Sequence, residues 1–311
     1  VDVSHIAALW DLGYLPILIK AMPEGSRVNI RVPILTMVNT KPEFFWLTNF
    51  LETQISAEIW KAITSATIAN EYKRLLTSFA EQTGSPLDFV PWQGHDFSAR
   101  GMSGIHDAAQ TGAGHLLSFF GTDTISAIDY LEDYYGAEDT FVGGSVPATE
   151  HSVMCMGGKD DEIGTFRRLV TETYPAGIVS IVSDTWDFWR VLTEYAVTLK
   201  PEIMAREGKV VFRPDSGDPV KIICGDPDAP VGSPAYKGAV ECLWDAFGGT
   251  MTSKHYRVLD AHVGLIYGDS ITLERALAIL AGLETKGFAS CYFVFVICSF
   301  TFLFFFFFLF V

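Results

Sequence analysis

The chain has 311 residues, enough for one large domain or two ordinary ones, and its 49% hydrophobic content supplies a substantial core. A net charge of −15, from 37 acidic against 22 basic side chains, argues against nucleic acid as a partner but not against phosphate ligands, which a few placed arginines can hold. The five cysteines (Cys155, Cys224, Cys242, Cys291, Cys298) are scattered and form no CxxC pair, which points away from zinc or redox chemistry and toward a reducing, cytoplasmic compartment.

No signal peptide opens the chain, and a start at Val1 rather than Met suits a fragment. Val28 to Val38 reads as a strand, with Pro33 at an edge or bulge. Leu47 to Gln82 is rich in helix formers and reads as one long or broken helix, ended by Gly84-Ser85-Pro86. Phe89 to Phe97 leads into a strand and loop. Helices are expected over 105–120, 124–135, 160–174, 187–199, 234–247 and 272–283, and strands over 177–182, 209–212, 256–259 and from 287 onward. From about residue 89 strands and helices alternate, which predicts βα units on a parallel sheet or barrel with its site at the C-terminal ends of the strands. Tyr292 to Val311 carries no charged residue and holds five consecutive phenylalanines, Phe304 to Phe308. By length it passes as a membrane-spanning helix. It lacks flanking Lys or Arg anchors and breaks sharply from the preceding composition, which favours a shifted reading frame over a tail anchor, with a buried core strand as the third reading. Membrane association is therefore expected only if that run is genuine.

The polar clusters fall where strands end. Val211-Phe212-Arg213-Pro214-Asp215-Ser216-Gly217-Asp218 closes a strand with a cation, carboxylates, a hydroxyl and a glycine, a set suited to a phosphorylated sugar, although those residues also make ordinary turns. His95-Asp96-Phe97-Ser98-Ala99-Arg100-Gly101 offers Phe97 to a planar ring and Arg100 to a phosphate, or a core Phe beside a surface Arg. Asp123 in Gly121-Thr122-Asp123-Thr124 either accepts from a ligand amide or, like Thr122, caps a helix. Glu150 beside His151 places a carboxylate next to an imidazole that can act as a base or accept a phosphoryl group, though a lone histidine is more often structural. Asp184, after Val182-Ser183, is a helix cap or a ligand group. Gly268 and Asp269 repeat the pattern, with close backbone approach at the glycine and a ribose diol or a helix cap for the aspartate.

Taken together, the stretches LPILIKAMPEGSRV (15–28), VNTKPEFFWLTNFLET (38–53), HDFSARG (95–101), GTDT (121–124), SVPATEHS (145–152), VSIVSDTWD (179–187), VVFRPDSGDP (210–219) and GDSIT (268–272) resemble the nicotinate/nicotinamide phosphoribosyltransferase family, in the family's order. The resemblance implies an α/β fold, a type II phosphoribosyltransferase-like βα barrel, here incomplete. Its expected parts are a remnant of an N-terminal α+β domain over 1–88, a partial barrel over 89–291 and an aberrant tail over 292–311.

The implied reaction joins nicotinamide to phosphoribosyl pyrophosphate, giving nicotinamide mononucleotide and pyrophosphate. Mg2+ would accompany the pyrophosphate, and ATP hydrolysis would be coupled through a phosphorylated histidine. In that reading Phe97 stacks on the pyridine ring and Asp123 binds the carboxamide, repelling a nicotinate carboxylate. Arg100 and Arg213 contact phosphates, and Asp215, Gly268 and Asp269 hold the ribose. His151, oriented by Glu150, takes the phosphoryl group, and Ser180 and Asp184 lie near the ring pocket and that histidine. A homodimer is implied, with the family's Tyr-bearing N-terminal motif absent from this sequence. Val296 and Cys298 stand where the family places glycines of a phosphate loop, which implies an inactive form. The alternatives are a nicotinate-specific enzyme, against which Asp123 speaks, and a non-catalytic ligand-binding or membrane-tailed relic.

Overall fold

The computed structural model describes residues 2–268 and 271–297. The Phe-rich run, Cys298 and Asp269 lie outside them. Two compact units divide the chain, residues 1–63 and 64–311. In the first, a helix over Ser4–Leu12 precedes an antiparallel ribbon of β1 (Ile17–Ala21) and β2 (Leu35–Asn39), with Ile17 opposite Asn39. The strand expected over 28–38 therefore begins only at Leu35. Arg31 sits in the left-handed region (φ +66°), the amide of Val32 closes a turn on Asn29, and Pro33 has no N–H to give a ladder. The long helix runs Trp46–Thr83, close to its expected limits, and Gly84 at φ +71° ends it.

The second unit is built on parallel strands. β3 (Gly94–Asp96), β4 (Gly121–Thr122), β5 (Ala176–Val182) and β6 (Glu207–Arg213) are followed by a short antiparallel pair, β7 (Gly249–Met251) and β8 (Arg257–Leu259). β9 (Val263–Tyr267) and β10 (Phe293–Ile297) complete a six-stranded sheet of order β4-β3-β10-β9-β6-β5, parallel at every pairing. Phe293 to Ile297, part of the apolar C-terminal stretch, is thus a central strand and not a loop at Val296. The helices between strands hold their expected places with interruptions. The helix expected over 234–247 breaks into Pro234–Lys237 and Ala239–Phe247 at Gly238, whose φ is +84° and where a Cβ would fall 2.4 Å from the Gly225 nitrogen.

Register sorts the strand residues onto two faces. Val179, Ile181, Val210, Phe212, Val263, Leu265, Phe293 and Phe295 lie on one face, joined in the core that the helices cover. The alternate positions Ser180, Lys209, Val211, Arg213, Gly264, Val296 and His95 lie on the other. That second face is concave. The two edge strands are each bridged to one extended segment, Gly121 to Gly144 and Ser180 to Ala148, so a single stretch of chain joins both edges. The amide of Thr149 donates to Ser180 O at 2.9 Å, and the Thr149 hydroxyl accepts from the Val182 amide at 2.9 Å, anchoring the join at β5. The result is a βα barrel in which the seventh position carries isolated bridges instead of a full ladder.

Candidate active site

Every parallel strand delivers its C-terminal end to the same rim of the barrel, so the polar clusters that follow β3, β4, β5, β6 and β9 converge there. Arg213, the last residue of β6, and Asp123, just after β4, both stand at this rim, and the Arg213 charge favours the ionised Asp123 carboxyl.

At one side of the rim stand His95, Phe97, Asp123 and Ser145. His95 Nε2 lies 3.0 Å from Asp123 Oδ1, and the Ser145 hydroxyl donates to the same oxygen at 2.5 Å. The His95 and Phe97 rings meet edge to face, 5.0 Å between centroids. Partial burial pushes the Asp123 carboxyl up, but hydrogen bonds from His95 and Ser145 and the charges of His95 and Arg213 prevail and hold it below the usual carboxylate range. Asp123 does not cap the following helix. Nor does Thr122: the N-cap is Thr124, no side chain caps the helix, and the Thr122 hydroxyl accepts the Thr124 amide at 3.0 Å in the turn before it, leaving the Asp123 carboxylate on the rim.

At the other side stand His151, Asp184, Arg213, Asp215 and Gly268. His151 opens the helix His151–Cys155, and its Nε2 lies 3.2 Å from Asp184 Oδ1. The other Asp184 oxygen accepts from the Asp215 amide at 2.9 Å and from the Ser216 hydroxyl at 2.5 Å. One carboxylate therefore ties the histidine to the turn after β6. The expectation that Glu150 orients His151 is corrected here. Glu150 is extended and accepts from the Ser152 hydroxyl, and adjacent side chains at a helix start diverge by about 100°. Nor does Asp184 cap a helix, since Asp187 does so by accepting from the Arg190 amide at 3.1 Å.

Arg213 is buried, with Nε 3.4 Å from Asp215 Oδ1. The missing side chain of Gly268 makes room for Asp215, whose Oδ1 lies 1.7 Å from where a Cβ would be. Gly217, at φ +90°, turns the loop, and its carbonyl accepts from the Tyr267 hydroxyl at 2.9 Å. Ser180, on β5, lies on the concave face, 3% exposed, and its Oγ makes no hydrogen bond to a described residue. Arg100 is exposed in the turn Ser98–Gly101.

The structure thus brings together Phe97, Asp123, Ser180, Asp184, His151, Arg213, Asp215 and Gly268, and keeps Arg100 at the margin. Sequence reasoning assigned no role to His95 and Ser145. The alternation that puts His95 and Phe97 on one face of β3, two residues apart, is the signal that finds His95. Among the described residues no group of three His, Cys, Asp or Glu side chains is placed to hold a metal ion.

The sequence profile of the nicotinate phosphoribosyltransferase (NAPRTase) family matches residues 92–300. The chain is similar to the nicotinamide phosphoribosyltransferase of Acinetobacter baylyi, 66% identical over 307 residues, covering 97% of this chain and 61% of that protein. It is also similar to the proteins of the same name from Xanthomonas campestris, at 36% identity over 89% of this chain and 56% of the relative, and Mycoplasma pneumoniae, at 35% over 92% and 61%. The chain spans about three fifths of the length of these relatives.

Proposed function

The chain belongs to the nicotinate phosphoribosyltransferase family, and from that premise we propose that it carries the catalytic rim of a nicotinamide phosphoribosyltransferase. The enzyme would join nicotinamide to phosphoribosyl pyrophosphate and release nicotinamide mononucleotide and pyrophosphate, a step of NAD salvage in the cytoplasm. The observation that carries this reading is the Asp123 carboxylate, hydrogen-bonded by the same His95 whose ring meets Phe97, on the rim that also carries the Arg213–Asp215 pair.

The reaction breaks the bond from the ribose anomeric carbon to pyrophosphate and forms one to the pyridine nitrogen. Its oxocarbenium-like transition state makes positioning and charge the main sources of catalysis. Phe97 stacks on the pyridine ring, and Asp123 accepts from the carboxamide N–H. A nicotinate carboxylate in that place meets a like charge and no donor. Asp215 holds ribose hydroxyls, with Gly268 and Asp269 beside it, while Arg213 and Arg100 neutralise phosphate oxygens. Ser180, whose buried hydroxyl has no hydrogen-bond partner among the described residues, supplies a further polar group for the ring pocket. The Asp184 carboxylate is already engaged by His151, Asp215 and Ser216, so the donor set does not build a protein cage for Mg2+. The ion fits as a companion of the pyrophosphate, whose oxygens supply its ligands.

His151 is the acceptor for the γ-phosphoryl group of ATP. Asp184 holds one ring nitrogen and leaves the other as nucleophile; ADP departs, and water later takes the phosphoryl group. The large apolar side chains exposed on the first unit, among them Trp10, Ile30, Phe45 and Phe50, support a homodimer. Among the described residues no helix is long and apolar enough to cross a membrane.

The test is Asp123→Ser in the full-length protein, with kcat/KM measured for both pyridines. Nicotinamide turnover is expected to fall at least tenfold, a loss of about 1.4 kcal/mol of transition-state binding, and nicotinate turnover to rise. An unchanged preference removes Asp123 from the site.

A further inference from the structure

We propose that His95 is the positioning residue of the ring-recognition side: its imidazole fixes the Phe97 ring and the Asp123 carboxylate together, and with Ser145 it commits one carboxylate oxygen so that the other faces the ligand. This rests on the reading above, in which Asp123 accepts from the carboxamide.

The geometry is specific to His95. The residue lies on the concave face of β3, with its side chain 12% exposed, so its orientation is set by the protein and not by solvent. Nε2 meets Asp123 Oδ1 at 3.0 Å while the ring edge meets Phe97 at an interplanar angle of 90°. The opposite edge is seated on Gly121 of β4, where a Cβ would fall 2.7 Å from His95 Nδ1. A larger residue at 121 would push the imidazole out of register with both partners. Nε2 faces the carboxylate, and Nδ1 faces the glycine seat.

Ser145 comes from the segment that joins the sheet edges, one residue past the Gly144 bridge, and donates to the same Oδ1 at 2.5 Å. Two donors on Oδ1 stop rotation about the carboxylate's last torsion. A carboxylate left to rotate would exchange its oxygens and lose the direction on which amide recognition depends. Nothing in the proposed chemistry otherwise uses His95 or Ser145.

The experiment compares His95→Asn, His95→Gln, Ser145→Ala and Asp123→Ser in the full-length protein, reading kcat and KM for nicotinamide and for nicotinate. The Gln amide reaches the place of Nε2, whereas the shorter Asn amide reaches only that of Nδ1. His95→Asn is expected to raise KM for nicotinamide about tenfold with a smaller change in kcat, and to narrow the preference over nicotinate by a similar factor. His95→Gln should recover most of that preference, and Ser145→Ala should lose part of it. A structural role alone would lower activity on both substrates alike and would not separate Asn from Gln. If Asp123→Ser narrows the preference while His95→Asn and Ser145→Ala leave it intact, this proposal is overturned and the assignment of Asp123 stands. If Asp123→Ser leaves the preference unchanged, the assignment of Asp123 fails and His95 loses its role with it.

Discussion

The two faces of the parallel sheet are made by the same strands and obey opposite rules. On β6, Val210 and Phe212 enter the helix-covered core while Val211 and Arg213 turn to the concave side, and the other strands repeat the alternation. The covered face is uniform and apolar, with Leu265, Phe293 and Phe295 wholly buried. The concave face carries a serine, a lysine, a histidine and an arginine between small or β-branched residues. Hydrophobic burial pays for the barrel on one face and leaves the other free to be selected for chemistry.

The sharpest break in that comparison comes from the concave rim. Arg213→Ala and Asp215→Ala are each expected to cut kcat/KM about a thousandfold, near 4 kcal/mol, while circular dichroism shows the fold retained. Near-normal turnover in both would empty the rim of its assigned role. A covered-face change should do the reverse. Leu265→Ala removes a wholly buried side chain and should cost about 3 kcal/mol in denaturant unfolding, with the catalytic constants of the folded protein unaltered.

His151→Ala should abolish ATP hydrolysis and leave some synthesis, because coupling shifts the equilibrium without forming the glycosidic bond. Asp184→Asn should slow ATP hydrolysis about tenfold by loosening that imidazole. Unaltered ATP hydrolysis in His151→Ala would remove it from phosphoryl transfer.

The smallest effect lies in the helical layer. Glu162 is buried with Oε1 lacking a hydrogen bond among the described residues, and desolvation pushes its carboxyl up to about 7. Its folded pKa thus exceeds the unfolded one, so the stability it contributes is present below about pH 4.5 and is lost as pH rises through about 7. Glu162→Gln should flatten that loss and raise stability at pH 8 by on the order of 1 kcal/mol, or about 2 °C in Tm.

Local signals carried the long helix, β5, β6 and the succession of polar clusters at strand ends, because apolar runs and Gly or Pro stops are written in neighbouring residues. They failed where distant contacts decide. β1 is a mostly exposed strand whose partner is β2, so it has no buried run to announce it. By adjacency Glu150 is the natural partner of His151, but the partner is Asp184, delivered by β5, the strand to which the segment before His151 is bridged. Asp123 and Thr122 both read as caps in the sequence, yet neither caps the helix, and the Asp123 carboxylate is engaged by His95 and Ser145, both distant in the chain. His95 sat in a recognised motif, yet its role depends on which face of β3 it occupies and on the Gly121 seat in the next strand.

The most direct test of the account is a crystal structure of the full-length protein with nicotinamide mononucleotide. The account predicts the pyridine ring against Phe97, the carboxamide nitrogen within hydrogen-bond reach of the Asp123 oxygen not taken by His95 and Ser145, and the ribose hydroxyls at Asp215 beside Gly268. A ligand seated away from the concave rim, or turned so that its phosphate lies at Asp123 and its ring at Arg213, would contradict it.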